Sequence, residues 1–185
     1  NTVSNLAISF VNGMAAGTAR YQRVGRKCTM TSINVAYQIA PYQIGSGSDR
    51  LKVALVWDKA PTGTVPTYGA IFAAVDNAGT SLSDTESPVN LDNTDRFRIL
   101  HSRFFNVGGI TATTGAINAM IHTGSELTFN KYIKCNIPMH FRGDTSSLAD
   151  MAAGAIYLVF HSTMSTAADQ FWVIHYNLRC TIRDT

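Results

Sequence analysis

Hydrophobic and polar positions alternate through most of this chain with the period of two that a half-buried strand imposes. In residues 2–10 the alternation runs through Leu6, Ile8 and Phe10. A longer stretch over residues 26–39 carries Cys28 and Met30, then Ile33, Val35, Tyr37 and Ile39. Its phase slips by one residue near Thr31 and Ser32, which predicts a bulge or a strong twist there. Pro41 is expected to end this strand, and Gly45, Ser46, Gly47, Ser48 and Asp49 read as a solvent loop.

Residues 51–57 depart from alternation. Val53, Ala54, Leu55, Val56 and Trp57 follow one another with no polar residue between them, so both faces of this strand are expected to be covered. It reads as a central strand with Trp57 buried at its end. The chain leaves through Asp58, Lys59, Ala60, Pro61, Thr62 and Gly63, where proline withholds a ladder N–H and glycine accommodates a turn. That turn is expected to project toward the outer surface or a neighbouring molecule.

The rest repeats strand, long loop, strand. Residues 64–75 predict a short helix capped near Thr67, and residues 76–90 a long polar loop. Residues 96–107 form a strand whose phase changes around Leu100, followed by a Gly/Thr/Ala-rich loop over residues 108–124. Alternation resumes through Phe129, Lys131, Ile133, Cys135 and Ile137, with Pro138 expected to close it. After a polar excursion at residues 141–150, residues 155–160 make a second densely apolar strand. The last strand, residues 171–184, places Trp172, Ile174, Tyr176, Leu178, Cys180 and Ile182 on one face. His175, Asn177, Arg179, Thr181 and Arg183 take the other.

These are seven or eight strands with no long helix between them, which disfavours a parallel doubly wound sheet. Two sheets must cover each other instead, and the long crossing loops point to an all-β, antiparallel, eight-stranded jelly-roll sandwich. At 185 residues the chain reads as one domain over residues 26–185, preceded by an N-terminal extension or inner arm over residues 1–25.

Composition adds a partner class. Only 15% of the residues are charged, against about a quarter in typical domains. A monomer with a surface of Ser, Thr, Asn, Gly and Ala has this composition, and so does a chain that hides surface in subunit contacts, because interface cores are depleted of charge. The net charge of +3 is unevenly placed: Arg20, Arg23, Arg26 and Lys27 lie close together and no acid precedes Asp49. That asymmetry suits an acidic partner such as a nucleic acid. The four cations would meet phosphates, with Tyr21 offering a stacking face to one base. Arg179 and Arg183 on the outward side of the last strand, with Arg96, Arg98 and Arg103, are candidates for the same surface.

Catalytic chemistry finds little support. No nucleophile elbow, zinc-protease helix or phosphate loop is present, His101, His122, His140, His161 and His175 stand alone, and Glu86 and Glu126 are the only glutamates. Cys28, Cys135 and Cys180 lack the spacing of a zinc site and read as buried small apolar residues. Asp92, Asn93 and Asp95 are a candidate for a hard cation or for a capped turn. No cofactor and no membrane insertion is expected, the longest apolar runs being far too short to span a bilayer. A glycan-binding or protein-binding module of the same fold is the alternative, with Trp172 beside Asp169 and Gln170 as its aromatic platform.

Four segments in order carry a resemblance. Residues 53–63 (Val-Ala-Leu-Val-Trp-Asp-Lys-Ala-Pro-Thr-Gly), followed by Val65, Pro66, Thr67 and Tyr68, resemble a signature of coat proteins from small circular Rep-encoding single-stranded DNA viruses. Arg96 to Leu100 (Arg-Phe-Arg-Ile-Leu), residues 131–138 (Lys-Tyr-Ile-Lys-Cys-Asn-Ile-Pro), and residues 154–159 with residues 179–184 resemble further strands of that family. The resemblance covers roughly residues 26–184. It implies a non-catalytic jelly-roll capsid subunit that assembles with itself, about 60 copies in a closed icosahedral shell. It also implies enclosure of circular single-stranded DNA, residence in the virion, assembly in the host nucleus and an outer surface open to a host-surface receptor. An arginine-rich arm before the fold is implied too. Here Arg20, Arg23, Arg26 and Lys27 stand in its place, behind a nearly uncharged stretch.

Overall fold

The alternating stretches pair into two facing antiparallel sheets in the computed structural model, which describes residues 2–3, 6–43, 49–75, 81–82, 85–107, 127–162 and 171–184. The strands are β1 (Thr2–Val3), β2 (Leu6–Phe10), β3 (Lys27–Gln43), β4 (Asp49–Asp58), β5 (Ala74–Val75) and β6 (Ser81–Leu82). They continue with β7 (Phe97–Val107), β8 (Leu127–Phe141), β9 (Met151–Ala153), β10 (Ala155–Ser162) and β11 (Phe171–Asp184). One sheet has the order β1-β11-β3-β8-β9 and the other β2-β10-β4-β7, with β5 and β6 as a separate ribbon. Setting aside the two-residue pieces β1, β5 and β6, eight strands form two four-stranded sheets, the jelly-roll sandwich. The pairings are nested: β4 with β10 inside β3 with β11, and β4 with β7 inside β3 with β8. The chain passes from one sheet to the other between β3 and β4, β7 and β8, and β10 and β11, whereas β4 and β7 are neighbours in one sheet joined by the long excursion of residues 59–96.

Both densely apolar strands sit mid-sheet. β4 and β10 pair with each other over eight residues, Ala155 opposite Asp58 through Ser162 opposite Leu51. All of β10 is buried, as is β4 from Leu51 to Val56. Their inner faces meet the five-stranded sheet, where Phe160 lies 6.1 Å from Tyr176. Their outer faces are covered by residues 59–75 and 85–96, described parts of the excursion between β4 and β7. The excursion contains helix α1 (Tyr68–Ile71), preceded by Thr67, whose side chain makes no capping bond. The buried Lys52 ties this cover down: its ammonium lies 3.7 Å from the Phe72 ring centre and donates to the Ser87 carbonyl at 2.8 Å. A buried ammonium needs such partners, since an uncompensated one is strongly disfavoured.

Asp58 closes the motif that follows β4. It is 0% exposed and accepts two bonds from the Arg96 guanidinium, at 3.0 and 2.8 Å, and one from the Ala60 N–H at 3.0 Å. Lys59 N–H adds a bond to the Arg96 carbonyl at 2.9 Å, so the turn after β4 is fastened to the start of β7. The Arg96 guanidinium is held above its ordinary pKa, first by hydrogen bonding to Asp58. Gly63, at φ 86°, supplies the left-handed residue the turn requires. At the other corner, Gly154 has φ 83°, and a Cβ there would stand 2.3 Å from the Pro138 carbonyl oxygen. Asn12 stitches the N-terminal segment to that corner, donating to the Gly154 carbonyl and accepting from the Ile156 N–H, each at 2.8 Å.

Both expected phase slips are register shifts. One lies between Met30 and Ser32 in β3, opposite a second between Thr181 and Ile182 in β11. The other falls at Leu100, where Leu55 pairs with His101 and Val56 with Ile99. The two prolines do not end their strands. Pro41 stands opposite Trp172, at a register shift that accommodates its missing N–H, and β3 continues to Gln43. Pro138 stands opposite Thr29, and β8 continues to Phe141, because β9 begins to pair only at His140 and leaves that side of Pro138 without a ladder to break. Trp57 is half-buried rather than buried. It faces a cleft of about 440 Å³ where the edges of β7 and β8 part, lined also by Arg98, Leu100, Ile133 and Cys135.

The segment read as an arm contributes β1, paired with β11, and β2, paired with β10, so its described part is woven into both sheets. Of the loop expected at residues 45–49, Asp49 is instead the first residue of β4 and the rest lies outside the described residues, as does the loop expected at 108–124.

One titratable group in the sandwich carries a pH consequence. The His101 ring stacks 5.1 Å from Phe129, and its pKa is pushed below the ordinary value by burial, with smaller contributions from Lys131 and Arg103. As the pH falls through about 6.5, the unfolded chain takes up this proton and the folded chain does not. Stability therefore falls with pH below that point, until the folded value is passed. Replacing His101 with Gln is expected to flatten this part of the pH profile, read as the urea midpoint between neutral and mildly acidic pH. An unchanged slope would remove His101 from the acid sensitivity.

Candidate nucleic-acid interface

The two sheets differ in what lies on their outer faces. Tyr68, Phe72 and Ser87 cover the central strands β4 and β10 of the four-stranded sheet. On the five-stranded sheet, β8 and β11 keep the alternation of a strand with one face in solvent. His175, Asn177, Arg179, Thr181 and Arg183 are exposed on β11, as are Thr128, Asn130, Tyr132, Lys134 and Asn136 on β8. The face division expected for the last strand is therefore present wherever its side chains are described.

Register places these residues in rows. Arg179 stands opposite Asn34, which stands opposite Tyr132; Thr181 opposite Ser32 opposite Lys134; Arg183 opposite Thr29 opposite Pro138. Lys27 pairs with His140 at the end of the sheet. Among the described side chains this face carries no carboxylate, so its cations are not neutralised from within. Arg179, Arg183, Lys134 and Lys27 give it a single sign of charge, which attracts phosphates.

The basic stretch divides. Arg20, Arg26 and Lys27 are exposed, and Tyr21 is 80% exposed. Arg20 and Tyr21 line a cleft of about 470 Å³ beside Leu178, Cys180 and Ile182 of β11. The structure thus brings them to the edge of the strand that bears Arg179 and Arg183. Arg23 is the exception, at 2% exposed. It donates to the carbonyls of Met14 and Gly25, at 3.3 and 2.8 Å, and of Gly143, and its guanidinium lies 4.2 Å from the Phe141 ring centre. Gly143 and Phe141 are distant in sequence, and through them Arg23 holds its own segment to the end of β8 instead of facing solvent. Arg96, Arg98 and Arg103 do not join the basic face either. Arg96 serves Asp58, and the other two lie on β7, in the opposite sheet.

The remaining candidates resolve without chemistry. Residues 91–93 form a 3₁₀ turn in which the Asn90 side chain accepts from the Asp92 N–H at 3.0 Å. Asn93 donates to the Ala70 carbonyl at 3.0 Å, and Asp92 and Asp95 are exposed: the arrangement is the capped turn. Among the described residues no group of three acids, histidines or cysteines could hold a metal ion. Cys28 is buried, and Cys135 and Cys180 are half-buried with pKa values raised by burial, that of Cys180 to about 11. Asp169, Gln170 and the side chain of Trp172, the platform of the glycan reading, lie outside the described residues. Tyr132, which sequence reading passed over, is 64% exposed at the centre of the basic face. Its signal was an aromatic at a polar position of an alternating strand.

The class defined here is a two-sheet antiparallel jelly roll that leaves one sheet face bare and basic, a surface able to meet an anionic partner. A model of the Geminivirus coat protein/nuclear export factor BR1 family matches residues 2–184, and the chain belongs to that family. No individual curated protein matches it. The chain is accordingly a structural, non-catalytic capsid protein of a circular single-stranded DNA virus, a component of the virion that associates with its own copies and with viral DNA.

Proposed function

We propose that the bare face of the five-stranded sheet lines the interior of a closed shell and holds the genome by charge, with little sequence preference. The observation that supports this reading is the asymmetry of cover: the central strands of one sheet lie under Tyr68, Phe72 and Ser87, while the other sheet leaves Arg179, Arg183 and Lys134 exposed with no described carboxylate beside them. Arg20, with Tyr21, extends the same charge to the edge of β11, and Arg26 and Lys27 extend it beside the end of β8. The exterior then carries residues 59–75 and 85–96, including the exposed Leu91, as the surface that meets a host-surface receptor. Closed symmetry is required for a shell, and about 60 copies is the simplest icosahedral count. In this reading assembly takes place in the host nucleus, the exposed cations near the N-terminus serving an import receptor before they meet DNA.

Changing Arg20, Arg26, Lys27, Arg179, Arg183 and Lys134 to Gln is expected to lower the log-salt slope of single-stranded DNA binding by up to about 4 units. Shell formation, followed by light scattering and particle mass, is measured separately from encapsidated DNA. Intact shells with undiminished DNA would overturn the interior assignment. Loss of shells with DNA binding preserved would make the same residues subunit contacts.

A further inference from the structure

We infer that Tyr132, Asn34 and Arg179 form a subsite for one unpaired nucleobase and its phosphate, resting on the interior assignment above. The three lie in one row across β8, β3 and β11. Adjacent strands are about 4.8 Å apart, so the row spans about 10 Å, the reach of a single nucleotide. Tyr132 has most of its surface in solvent on a polar sheet face, where burial gains it nothing and no ring contact covers it among the described residues. An aromatic held by a strand, with its face in solvent, is a stacking platform that any base can use.

Asn34 supplies the second observation. Its Oδ1 is sheltered and has no donor within reach among the described residues. A buried acceptor left in this way is disfavoured, and a base edge lying across the row brings N–H donors to it once the base displaces the side chains that shelter it. Arg179 at one end of the row and Lys134, two residues along β8 from Tyr132, then stand where the flanking phosphates run. Charge complementarity selects the occupant: the face carries cations and no described carboxylate, which suits DNA and disfavours an apolar protein partner. Paired bases cannot reach the ring, because their faces are stacked within the duplex. The subsite therefore selects single-stranded DNA, whereas the surrounding cations accept any polyanion.

The test is titration of the full chain with a ten-nucleotide oligothymidylate and with an abasic oligonucleotide of the same length, each across a range of salt. The wild-type chain should prefer the base-bearing strand. Tyr132→Leu should weaken that strand by roughly tenfold, with the salt slope unchanged and abasic binding untouched. Tyr132→Phe, which keeps the ring, should restore it, and Asn34→Ala should weaken base-bearing DNA without altering the slope. Arg179→Gln should instead lower the slope, by about 0.7. Equal wild-type binding of the two strands, or equal weakening of both by Tyr132→Leu, would overturn the subsite and leave the charge reading standing. Binding of neither strand would overturn both. Loss of assembly on Tyr132→Leu with DNA binding intact would make this face a subunit contact and also overturn the subsite.

Discussion

Replacing Arg96 by Met is expected to lower the stability of the subunit by about 3 kcal/mol, the lower end of the range for breaking a buried ion pair. Asp58 is wholly enclosed, and Arg96 supplies two of its bonds. Without the guanidinium, the carboxylate keeps the Ala60 N–H at 3.0 Å and a long contact to the Tyr157 hydroxyl at 3.5 Å, which leaves its charge uncompensated. The lower end applies because the Arg96 side chain is 28% exposed, so water already screens part of the pair. Urea unfolding below the concentration of assembly measures this, since assembly adds stability of its own. The double variant Arg96→Met with Asp58→Leu should recover most of the loss, because an apolar pair leaves no charge stranded. A single variant with a wild-type midpoint would show that the pair does not hold the turn to β7.

Truncating Phe160 is expected to destabilise the subunit more than truncating Trp57, although tryptophan is the larger residue. Both substitutions to Ala fall in the range of about 3–5 kcal/mol for large aromatic side chains. Phe160 lies in the all-buried β10 between the sheets, where its removal leaves an enclosed cavity with no atoms to fill it. Trp57 already borders an open cleft, so its removal widens a space that water enters. Phe160→Ala therefore belongs at the upper end and Trp57→Ala at the lower. The order of the two denaturation midpoints is the measurement, and the reverse order would mean that the Trp57 cleft is closed in solution.

Much of the fold was legible because the burial of a strand is written locally. The unbroken run from Val53 to Trp57 announced a strand covered on both sides, and β4 is one. The slip near Thr31 announced a bulge, and the change of phase at Leu100, read only as use of both faces, is a register shift as well, because one inserted residue inverts the faces of everything beyond it. The Trp57-Asp58-Lys59 motif and the later Arg96-Phe97 motif were each visible, but not that they share a buried ion pair. Pro41 and Pro138 misled for a related reason: a proline ends a strand only where its N–H would be used, and that depends on the neighbour beside it.

By itself the sequence determined which residues point inward on each strand, the all-β class and the excess of positive charge. These follow from residue types at a period of two along one segment. Tertiary structure alone decided which strands lie side by side, and with that nearly everything about the candidate site. It drew Arg23 inward onto the Gly143 carbonyl, 120 residues away, and left Arg20 and Arg26 outside. It separated Arg98 and Arg103 from Arg179 by putting β7 in the other sheet. It aligned Tyr132, Asn34 and Arg179 in one row across three strands. Register between distant strands is set by the joint burial of both inner faces and the geometry of long crossings, a property of the packed whole that no single segment contains.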